Sequence, residues 1–311
     1  MAETAYKGAR VDRVLTTYSE KFDPTGFIAD KFLTEMQVDK WTGLLGSYDN
    51  SHLKLVTSRI FDRSGYRTVP AVGYDINKTY QVFNHGLRDF VTERDRDEVE
   101  DPFNAKLDVT DGLRSLLKIE KEFIASTLGR NDNSFVSTNI KTLTGTAQWN
   151  DFENSDPKKD IVDAQTSVFN TAHKPITHAV IPWPVAQTLR SHPQYTGIYG
   201  TTGKFRPLTF EELSNVLGIP NILIPQSIYV DGTDAEREFW AKDVILYNQE
   251  PTARKRMRTW GLRLMKRGHN ARVFVKDDPN AVNSEAIFSD TAYNYMIANV
   301  NCAYKLKNVI A

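Results

Sequence analysis

The chain has 311 residues with 39 basic and 39 acidic side chains, so its formal net charge is zero. A neutral chain lacks the overall positive field with which many nucleic-acid-binding proteins attract a phosphate backbone. Hydrophobic content of 40% and charged content of 25% are typical of a globular protein, and the length indicates about two domains or one body with long extensions.

The single cysteine, Cys302, excludes an intrachain disulfide and indicates a reducing, intracellular place of assembly. The N-terminal sequence MAETAYKGAR has no apolar run, so no secretory signal peptide is predicted. No window approaches the roughly 20 apolar residues of a membrane-spanning helix, and no membrane association is predicted.

The first third of the chain is rich in strand-like pieces but poor in apolar residues. Residues 1–90 lack sustained helical periodicity, and short strands are predicted at 52–60 and 79–83. Such a segment is either disordered or buried against another molecule, and its aromatic and β-branched residues argue against simple disorder. Residues 91–101 hold six acids and two arginines and predict a solvated loop or a helix start; the alternative is a contact with a neighbouring subunit.

The clearest helical pattern lies at 102–128, where apolar residues recur at steps of three and four. Pro102 suits a first turn and Gly129 suits a C-terminal stop. Gly112 weakens the early part, so the regular helix is expected to begin near it. The apolar face consists of Leu113, Leu116, Leu117, Phe123, Ile124 and Leu128.

Helices and strands alternate after Asn150. Thr209 and Glu212 have the spacing of a capping box for a helix that stops at Gly218. The C-terminal region is rich in β-forming residues. Predicted elements are helices at 157–172 and 184–190, and strands at 177–181, 221–224, 242–247, 286–288, 293–300 and 303–310.

Residues 251–276 contain nine basic side chains and no acid. We favour charged, solvent-facing residues on β-strands, available to pair with acids of a neighbour, because the whole chain is neutral. The alternative is a weak, inward-facing patch that contacts nucleic acid. The candidates for that patch are Arg254, Lys255, Arg256, Arg258, Arg263, Lys266 and Arg267.

Five acids crowd residues 146–165 around Trp149. One hypothesis is an enzyme with a scattered site of Asp151, Glu153 and His192. The simpler interpretation is a helix start, in which Ser155 or Asp156 caps the helix, Pro157 takes its first position and Asp160 favours the positive end of its dipole.

Motifs for other chemistry are absent from the sequence. There is no G-x-S-x-G, no Walker A loop with its Ser or Thr, and no histidine pair at a metal-binding spacing. We therefore predict no catalytic residue, no cofactor and no metal, and we assign Cys302 a buried structural role.

The order of the motifs W-N-D-x-x-x-S-D-P-x-x-D-I-x-x-A and K-P-I-T-H-A-V-I-P-W-P resembles the tailed-phage major capsid proteins of the HK97 fold, particularly the E-type families. The segments F-I-A-D at 27–30 and 209–225 are similar to the same family. The matching residues are Trp149, Asp156, Pro157, Asp160, Ile161, Ala164, Pro175, Val180, Leu189, His192 and Pro193.

The resemblance implies an α+β fold in which the core-poor first third lies over neighbouring subunits. A loop near the symmetry axes is implied at Tyr195, Gly197, Gly200, Gly203 and Lys204. The implied divisions are an N-terminal arm at 1–45, an extended β-hairpin or E-loop at 46–88, a peripheral domain with a spine helix at 89–145, an axial domain at 146–250, and a β-rich return to the peripheral domain at 251–311.

The function implied by the resemblance is self-assembly into hexamers and pentamers of an icosahedral phage head around double-stranded DNA. Implied partners are a separate scaffolding protein, a portal and DNA contacted without sequence specificity, with a decoration protein as a further candidate. The implied location of the protein is the virion, after assembly in the host cytoplasm. Lys54 and Lys78 lie in the implied E-loop, but nothing supports crosslinking through them. An encapsulin-like shell that holds protein cargo is the alternative.

Overall fold

The computed structural model describes residues 10–21, 26–48, 74–98, 102–199, 206–252, 258–277 and 284–311. The strand expected at 52–60, with Lys54, lies outside these ranges. The helices are α1 (Arg13–Lys21), α2 (Ala29–Phe32), α3 (Glu93–Glu98), α4 (Pro102–Arg130), α5 (Pro157–Ala172), α6 (Trp183–Ser191), α7 (Pro193–Tyr199) and α8 (Phe210–Leu217).

The strands belong to two larger sheets and two hairpins. They are β1 (Arg10–Val11), β2 (Thr34–Val38), β3 (Thr42–Tyr48), β4 (Tyr74–Gln81), β5 (Phe83–Val91), β6 (Ile140–Thr142), β7 (His178–Val180), β8 (Asn221–Leu223), β9 (Ile228–Val230), β10 (Glu236–Glu238), β11 (Val244–Tyr247), β12 (Gly261–Lys266), β13 (Arg272–Asp277), β14 (Glu285–Ile297) and β15 (Ala303–Lys307).

The first sheet, which we call the β14 sheet, is organised around the 13-residue strand β14. β5 pairs with it along one edge, and β13 and β12 pair with successive parts of the other edge. β1 extends the sheet beyond β13, and β2 extends it in parallel beyond β12. α4 lies against β5 and β14, where Leu113 and Ile287 share a buried cluster with Leu15 of α1. The two regions predicted as strands at 286–288 and 293–300 therefore belong to one strand.

The second sheet, the β11 sheet, has the strand order β6, β15, β11, β7, β8. All four residues of β11 are buried, as expected for a central strand covered on both faces. Its core includes side chains of α5, α6 and α8 and continues through Phe32 and Trp240 to Ala125 of α4. Both Thr209 and Glu212 make the predicted capping-box bonds at the start of α8, and Gly218 ends it with φ +65°.

α4 is continuous over its 29 residues, so the expectation that the regular helix begins near Gly112 is wrong. A single exposed glycine costs a helix about 1 kcal/mol, which burial of Leu113 and Leu117 outweighs. The helix ends at Arg130, one residue beyond the predicted stop at Gly129.

Gly129 has a packing role instead. A Cβ at this position would lie 2.9 Å from Cζ3 of Trp240, 3.1 Å from Phe32 and 3.2 Å from Ile245. All three neighbours are buried in the large core. Gly129 therefore lets α4 approach the aromatic core closely.

Within the predicted arm at 1–45, residues 10–21 and 26–38 pack on their own chain. Leu15, Phe32 and Leu33 are buried, and β2 is a strand of the β14 sheet. The predicted hairpin at 46–88 is also shifted. β3 and β4 pair from Thr42 with Gln81, and the residues from Phe83 onward belong to the β14 sheet.

Two strands, β6 and β15, pair in the β11 sheet, whereas the predicted domain boundaries group them with the peripheral domain. β15 lies in the C-terminal segment predicted to return to the peripheral domain, but it pairs with β11. β6, from the predicted peripheral domain, pairs with β15 in the same sheet. The sequence patterns identified these strands but carried no information about their partners.

Two glycines of α4 provide a matched test of this packing. Gly129→Ala should lower the free energy of unfolding by about 1–2 kcal/mol, because overpacking of about 1–3 kcal/mol outweighs the gain in helix propensity. Gly112→Ala, where an added Cβ meets nothing within 4 Å, should raise it by about 0.5–1 kcal/mol. Urea unfolding of the unassembled chain measures both. Equal stabilisation by the two substitutions would contradict the close approach at Gly129.

Candidate functional site

Trp149 and Asp160 form a buried polar contact within the acidic segment. The Trp149 indole N–H donates to Asp160 Oδ2 at 2.9 Å, and Lys141 Nζ donates to Asp160 Oδ1 at 2.6 Å. The Trp149 backbone N–H donates to the carbonyl of Val309 at 2.8 Å. Asp160 therefore does more than complement the helix dipole. It joins α5 to β6, through Lys141, and to the segment between β6 and α5 that contains Trp149. No sequence spacing indicated the Lys141 partner.

Asp156 is the N-cap of α5, as predicted. Its Oδ1 accepts hydrogen bonds from the Lys159 N–H and from Gln194 Nε2, each at 3.0 Å, and Pro157 is the first helical residue. The backbone bond from Lys159 lowers the pKa of Asp156. This carboxylate therefore holds the start of α5 against the start of α7.

His192 is buried and contacts Ser155, an arrangement that a hydrolase could use in principle. The Gln194 N–H donates to His192 Nδ1 at 3.3 Å, which favours the tautomer with its proton on Nε2, the nitrogen 3.1 Å from Ser155 Oγ. The Ser155 hydroxyl donates to the carbonyl of Asp151 at 2.6 Å. A nucleophilic serine needs the opposite arrangement, an unprotonated ring nitrogen that takes its proton.

The other acids of the proposed enzyme site close a turn. The Asp151 carboxylate accepts from the backbone N–H groups of Glu153 and Asn154 and from the Asn154 side chain, at 3.1–3.2 Å. The Glu153 side chain is exposed. Burial lowers the pKa of His192, which favours the neutral ring. These residues support a structural role and provide no acid, base or nucleophile arrangement.

The part of the chain that the structure describes contains no cluster of three or more His, Cys, Asp or Glu side chains placed to hold a metal ion. Among the same residues, no helix is both long and apolar enough to cross a membrane. Cys302 is buried in the core, and burial raises the pKa of its thiol to about 12. This is the structural environment predicted for it.

The loop implied near the symmetry axes is wrong at its first residues. Pro193 begins α7, which contains Tyr195 and Gly197, because proline suits a first helical turn. Tyr195 is buried against the ring of His192. Gly200, Gly203 and Lys204 lie outside the described residues.

The predicted basic patch is wrong for two of its members. Arg258 is buried and donates to the carbonyl of Ala172 at 3.1 Å. Arg263 is buried and pairs with Asp30 and Glu35 of its own chain. These side chains cannot line an open surface. The candidates at 254–256 lie outside the described residues.

The two remaining members of the patch are partly engaged. Lys266 Nζ donates to the carbonyl of Asp39 at 2.8 Å and lies 5.6 Å from the centre of the Trp41 ring. Arg267 is exposed and lies 3.4 Å from the Asp39 carboxylate, which is also exposed. Such exposed pairs contribute little to stability.

Sequence reasoning missed a cluster of charged residues between α2 and α4. Asp30 accepts hydrogen bonds from Lys118, at 2.5 Å, and from Lys121 and Arg263. Burial lowers the pKa of Lys121 to about 8. The cluster joins α2, α4 and β12. The acid stands in the F-I-A-D motif at 27–30, but its partners are too distant in sequence for a pattern to reveal them.

Glu122 of α4 binds the same short helix from inside the core. Its carboxylate accepts from the N–H groups of Ile28 at 3.0 Å and Ala29 at 2.7 Å, and from the indole of Trp240 at 2.6 Å. Burial raises the pKa of Glu122, while these three bonds oppose that shift. The start of α2 thus receives its capping carboxylate from α4.

The β3–β4 hairpin is fixed to the β14 sheet at its base. Lys78 Nζ donates to the carbonyl of Ala298 at 2.5 Å, and Asn294 Nδ2 donates to the carbonyl of Gln81 at 2.7 Å. Leu45 and Val82 are buried beside β12. Lys78 therefore helps to hold the hairpin against the sheet.

Large apolar side chains are exposed on several separate elements. Leu44 of the hairpin is 64% exposed and Val14 of α1 is 62% exposed. These side chains are distributed over several different helices and strands of the chain. Exposed residues also include Trp41, Phe83, Leu87 and Phe90 around β3–β5, Leu116 and Phe123 on α4, Val162 and Phe169 on α5, and Ile228 and Val230 on β9.

Asp156 allows the structural interpretation of the acidic segment to be tested. Asp156→Ala should lower the free energy of unfolding by about 1 kcal/mol, because the cap of α5 is lost. Asp156→Asn is the matched control and should cost much less, since asparagine caps helices about as well. Urea unfolding measures the difference. An equal loss in both variants would show that charge, rather than capping, is the important property.

Asp30 gives a prediction for pH dependence. Its pKa is lowered well below the usual range, by neighbouring cations that outweigh burial. A lowered folded pKa contributes stability above the unfolded pKa near 3.8, and that stability is lost as the pH falls. Asp30→Asn should cost about 3 kcal/mol at neutral pH, since buried cations lose their partner. The variant should also lose less stability than the parent between about pH 5 and pH 3.

The control for Asp30 is Asp39→Asn, which removes an exposed acid paired with exposed Arg267. It should change stability by less than about 0.5 kcal/mol. Urea unfolding at several pH values measures both. A parent and Asp30→Asn variant with the same pH slope would contradict the role of the cluster.

No family model matches the chain. It is similar to the major capsid protein of Burkholderia phage BcepMu, with 22% identity over 239 residues that cover 76% of this chain and 75% of that protein. It is also similar to the major capsid protein of Pseudomonas phage JBD67, with 28% identity over 208 residues that cover 65% of each chain.

Solved structures share the fold over nearly the whole chain. A phage-related protein from Bordetella bronchiseptica has a TM-score of 0.78 and 17% identity, with 97% of this chain and 98% of that chain covered. The capsid of cyanophage P-SCSP1u has a TM-score of 0.57 and 8% identity, over 92% and 89% of the two chains. An encapsulin from Synechococcus elongatus has a TM-score of 0.55 and 12% identity, over 99% and 95%.

These likenesses confirm the α+β architecture expected from the motifs around Trp149 and Asp156. The solved structures establish the fold, and both curated relatives are named major capsid proteins of phages. The chain is therefore similar in sequence to phage major capsid proteins and has the HK97-like fold of solved capsid structures.

Proposed function

We propose that this chain self-assembles into hexamers and pentamers, which form an icosahedral phage head around double-stranded DNA. The observation that carries the proposal is the similarity to two phage major capsid proteins, in a subunit that exposes apolar residues on many separate elements. Each element would contact a different neighbour. The acidic segment adds support, since the carboxylates of Asp156 and Asp160 bond α5 to neighbouring elements.

Repeated weak contacts suffice for such a shell. A single exposed side chain such as Leu44 or Val14 contributes only about 1–3 kcal/mol when buried. Each subunit has several such contacts, and closure makes later contacts effectively intramolecular. A shell can therefore be stable although each contact is weak enough to be corrected during assembly.

The hairpin β3–β4 is our candidate for the element that reaches across a neighbouring subunit. We place the E-loop at 42–81, because these residues include the paired strands and the segment between them. α4 is the candidate spine helix, the β14 sheet the peripheral domain and the β11 sheet the axial domain. An arm that contacts neighbours would then be shorter than residues 1–45.

The finer partners are part of the same proposal. A separate scaffolding protein, a portal and a decoration protein would complete the head, with assembly in the host cytoplasm and the final place in the virion. Contact with DNA would be non-specific, as expected for phosphate contacts. Arg254, Lys255, Arg256, Lys266 and Arg267 are the remaining basic candidates, because Arg258 and Arg263 are buried.

An encapsulin-like shell is the second candidate, favoured by the similar fold of a solved encapsulin. The two functions differ in what the particle contains. Native particles treated with nuclease should retain protected double-stranded DNA if the chain forms a phage head. Particles that contain folded protein cargo and no protected DNA would support the encapsulin-like function.

Replacement of residues 49–73 by a short glycine-rich turn tests the role of the hairpin. Tyr48 and Tyr74 are paired at the end of the hairpin that lies away from its base, so a short turn can join the two strands there. The subunit should keep its thermal stability, while the yield of closed particles should fall at least tenfold. Sedimentation and negative-stain electron microscopy measure the yield. Normal particles from this variant would contradict a cross-subunit role for the hairpin.

A further inference from the structure

A charged cleft of about 170 Å³ lies between α1, α4 and the strands β2 and β12. Its polar lining has one more cation than carboxylates. The cations are Arg114, Lys118, Lys121 and Arg263, and the carboxylates are Glu20, Asp30 and Glu35. The charged side chains of the lining therefore carry one net positive charge.

Arg114 is the cation whose bonding is incomplete. It is 6% exposed, and neither Nε nor Nη1 has a hydrogen-bond partner within the described part of the chain. The nearby carboxylate of Asp290 is occupied by Arg272, at 2.9 and 2.6 Å. Asp30 is occupied by three other cations. A buried guanidinium with unpaired N–H groups is unfavourable unless an acceptor reaches it.

Arg263 provides a second unpaired donor in the same cleft. Two of its nitrogens pair with Asp30 and Glu35, but its Nε has no partner among the residues that the structure describes. Guanidinium groups suit oxyanions because their planar N–H groups form parallel, charge-assisted hydrogen bonds.

We propose that this cleft binds one oxyanion, with Arg114 as its principal donor. The ligand is a carboxylate or a phosphate group, both of which match the fork of a guanidinium. It has two possible sources, a free inorganic anion or a carboxylate side chain of a second copy of the chain. The anion site does not depend on the proposed function. A carboxylate from a second copy of the chain, as its ligand, rests on that function.

Inorganic phosphate is the probe for the site. Thermal unfolding of the unassembled chain is measured in increasing phosphate, with sodium chloride at equal ionic strength as the reference. The melting temperature of the parent should rise saturably in phosphate and not in chloride. Arg114→Met should lose this rise or need at least about tenfold more phosphate, since charge-assisted bonds are removed.

Two variants separate binding from folding. Arg130→Met lies on the same helix outside the cleft and should keep the parent response. Arg114→Lys keeps the charge but loses the planar fork, so it should respond more weakly than the parent. This variant also provides a test if Arg114→Met does not fold. Without phosphate, Arg114→Met should be about as stable as the parent, because an uncompensated buried cation is removed.

The same titration on assembled particles identifies the source. A saturable response that persists in particles indicates a free anion, whereas its loss on assembly indicates that a carboxylate of a neighbouring copy fills the cleft. No saturable response in the unassembled parent, or equal responses in the parent and both Arg114 variants, would overturn the proposal. A failure to form particles would count against the proposed function and leave the phosphate result intact.

Discussion

The fold depends on the attachment of one long helix, α4, to the short helix α2, through residues about ninety positions apart in the sequence. Glu122 of α4 accepts the first N–H groups of α2 and the indole of Trp240, while Asp30 of α2 accepts hydrogen bonds from two lysines of α4. A buried carboxylate is unfavourable unless several donors reach it. The bonds to the Glu122 carboxylate therefore fix α2, α4 and the segment around Trp240 relative to one another. Gly129, a short way further along α4, lets the same helix lie close to the β11 sheet.

That arrangement separates two kinds of surface. The acidic segment around Trp149 and Asp160 satisfies its polar groups within the chain. The β3–β4 hairpin and α1 expose apolar residues although their bases are fixed. A shell subunit needs a body that keeps its shape in every position and peripheral elements that contact different neighbours. Clustered carboxylates, which resemble a catalytic site in the sequence, serve the first requirement here.

Local features were predictable from the sequence because their chemistry lies within a few residues. The cap at Asp156 and Pro157 and the capping box at Thr209 are examples. Burial of Arg263 was not predictable, since its acids lie more than two hundred residues away in sequence. The same reason explains the mistaken placement of β15, whose strand character is local but whose partner is not. Arg114 and its cleft gave no sequence signal at all.

Hydrogen exchange, compared between unassembled subunits and closed particles, tests the central claim most directly. Assembly should slow exchange strongly in β3, β4 and α1, where exposed apolar residues meet neighbours. It should leave β11 almost unchanged, because its four residues are already buried within the subunit. Equal exchange of the hairpin in the two states, with new protection confined to β11 and α4, would contradict the division into a self-contained body and intersubunit elements.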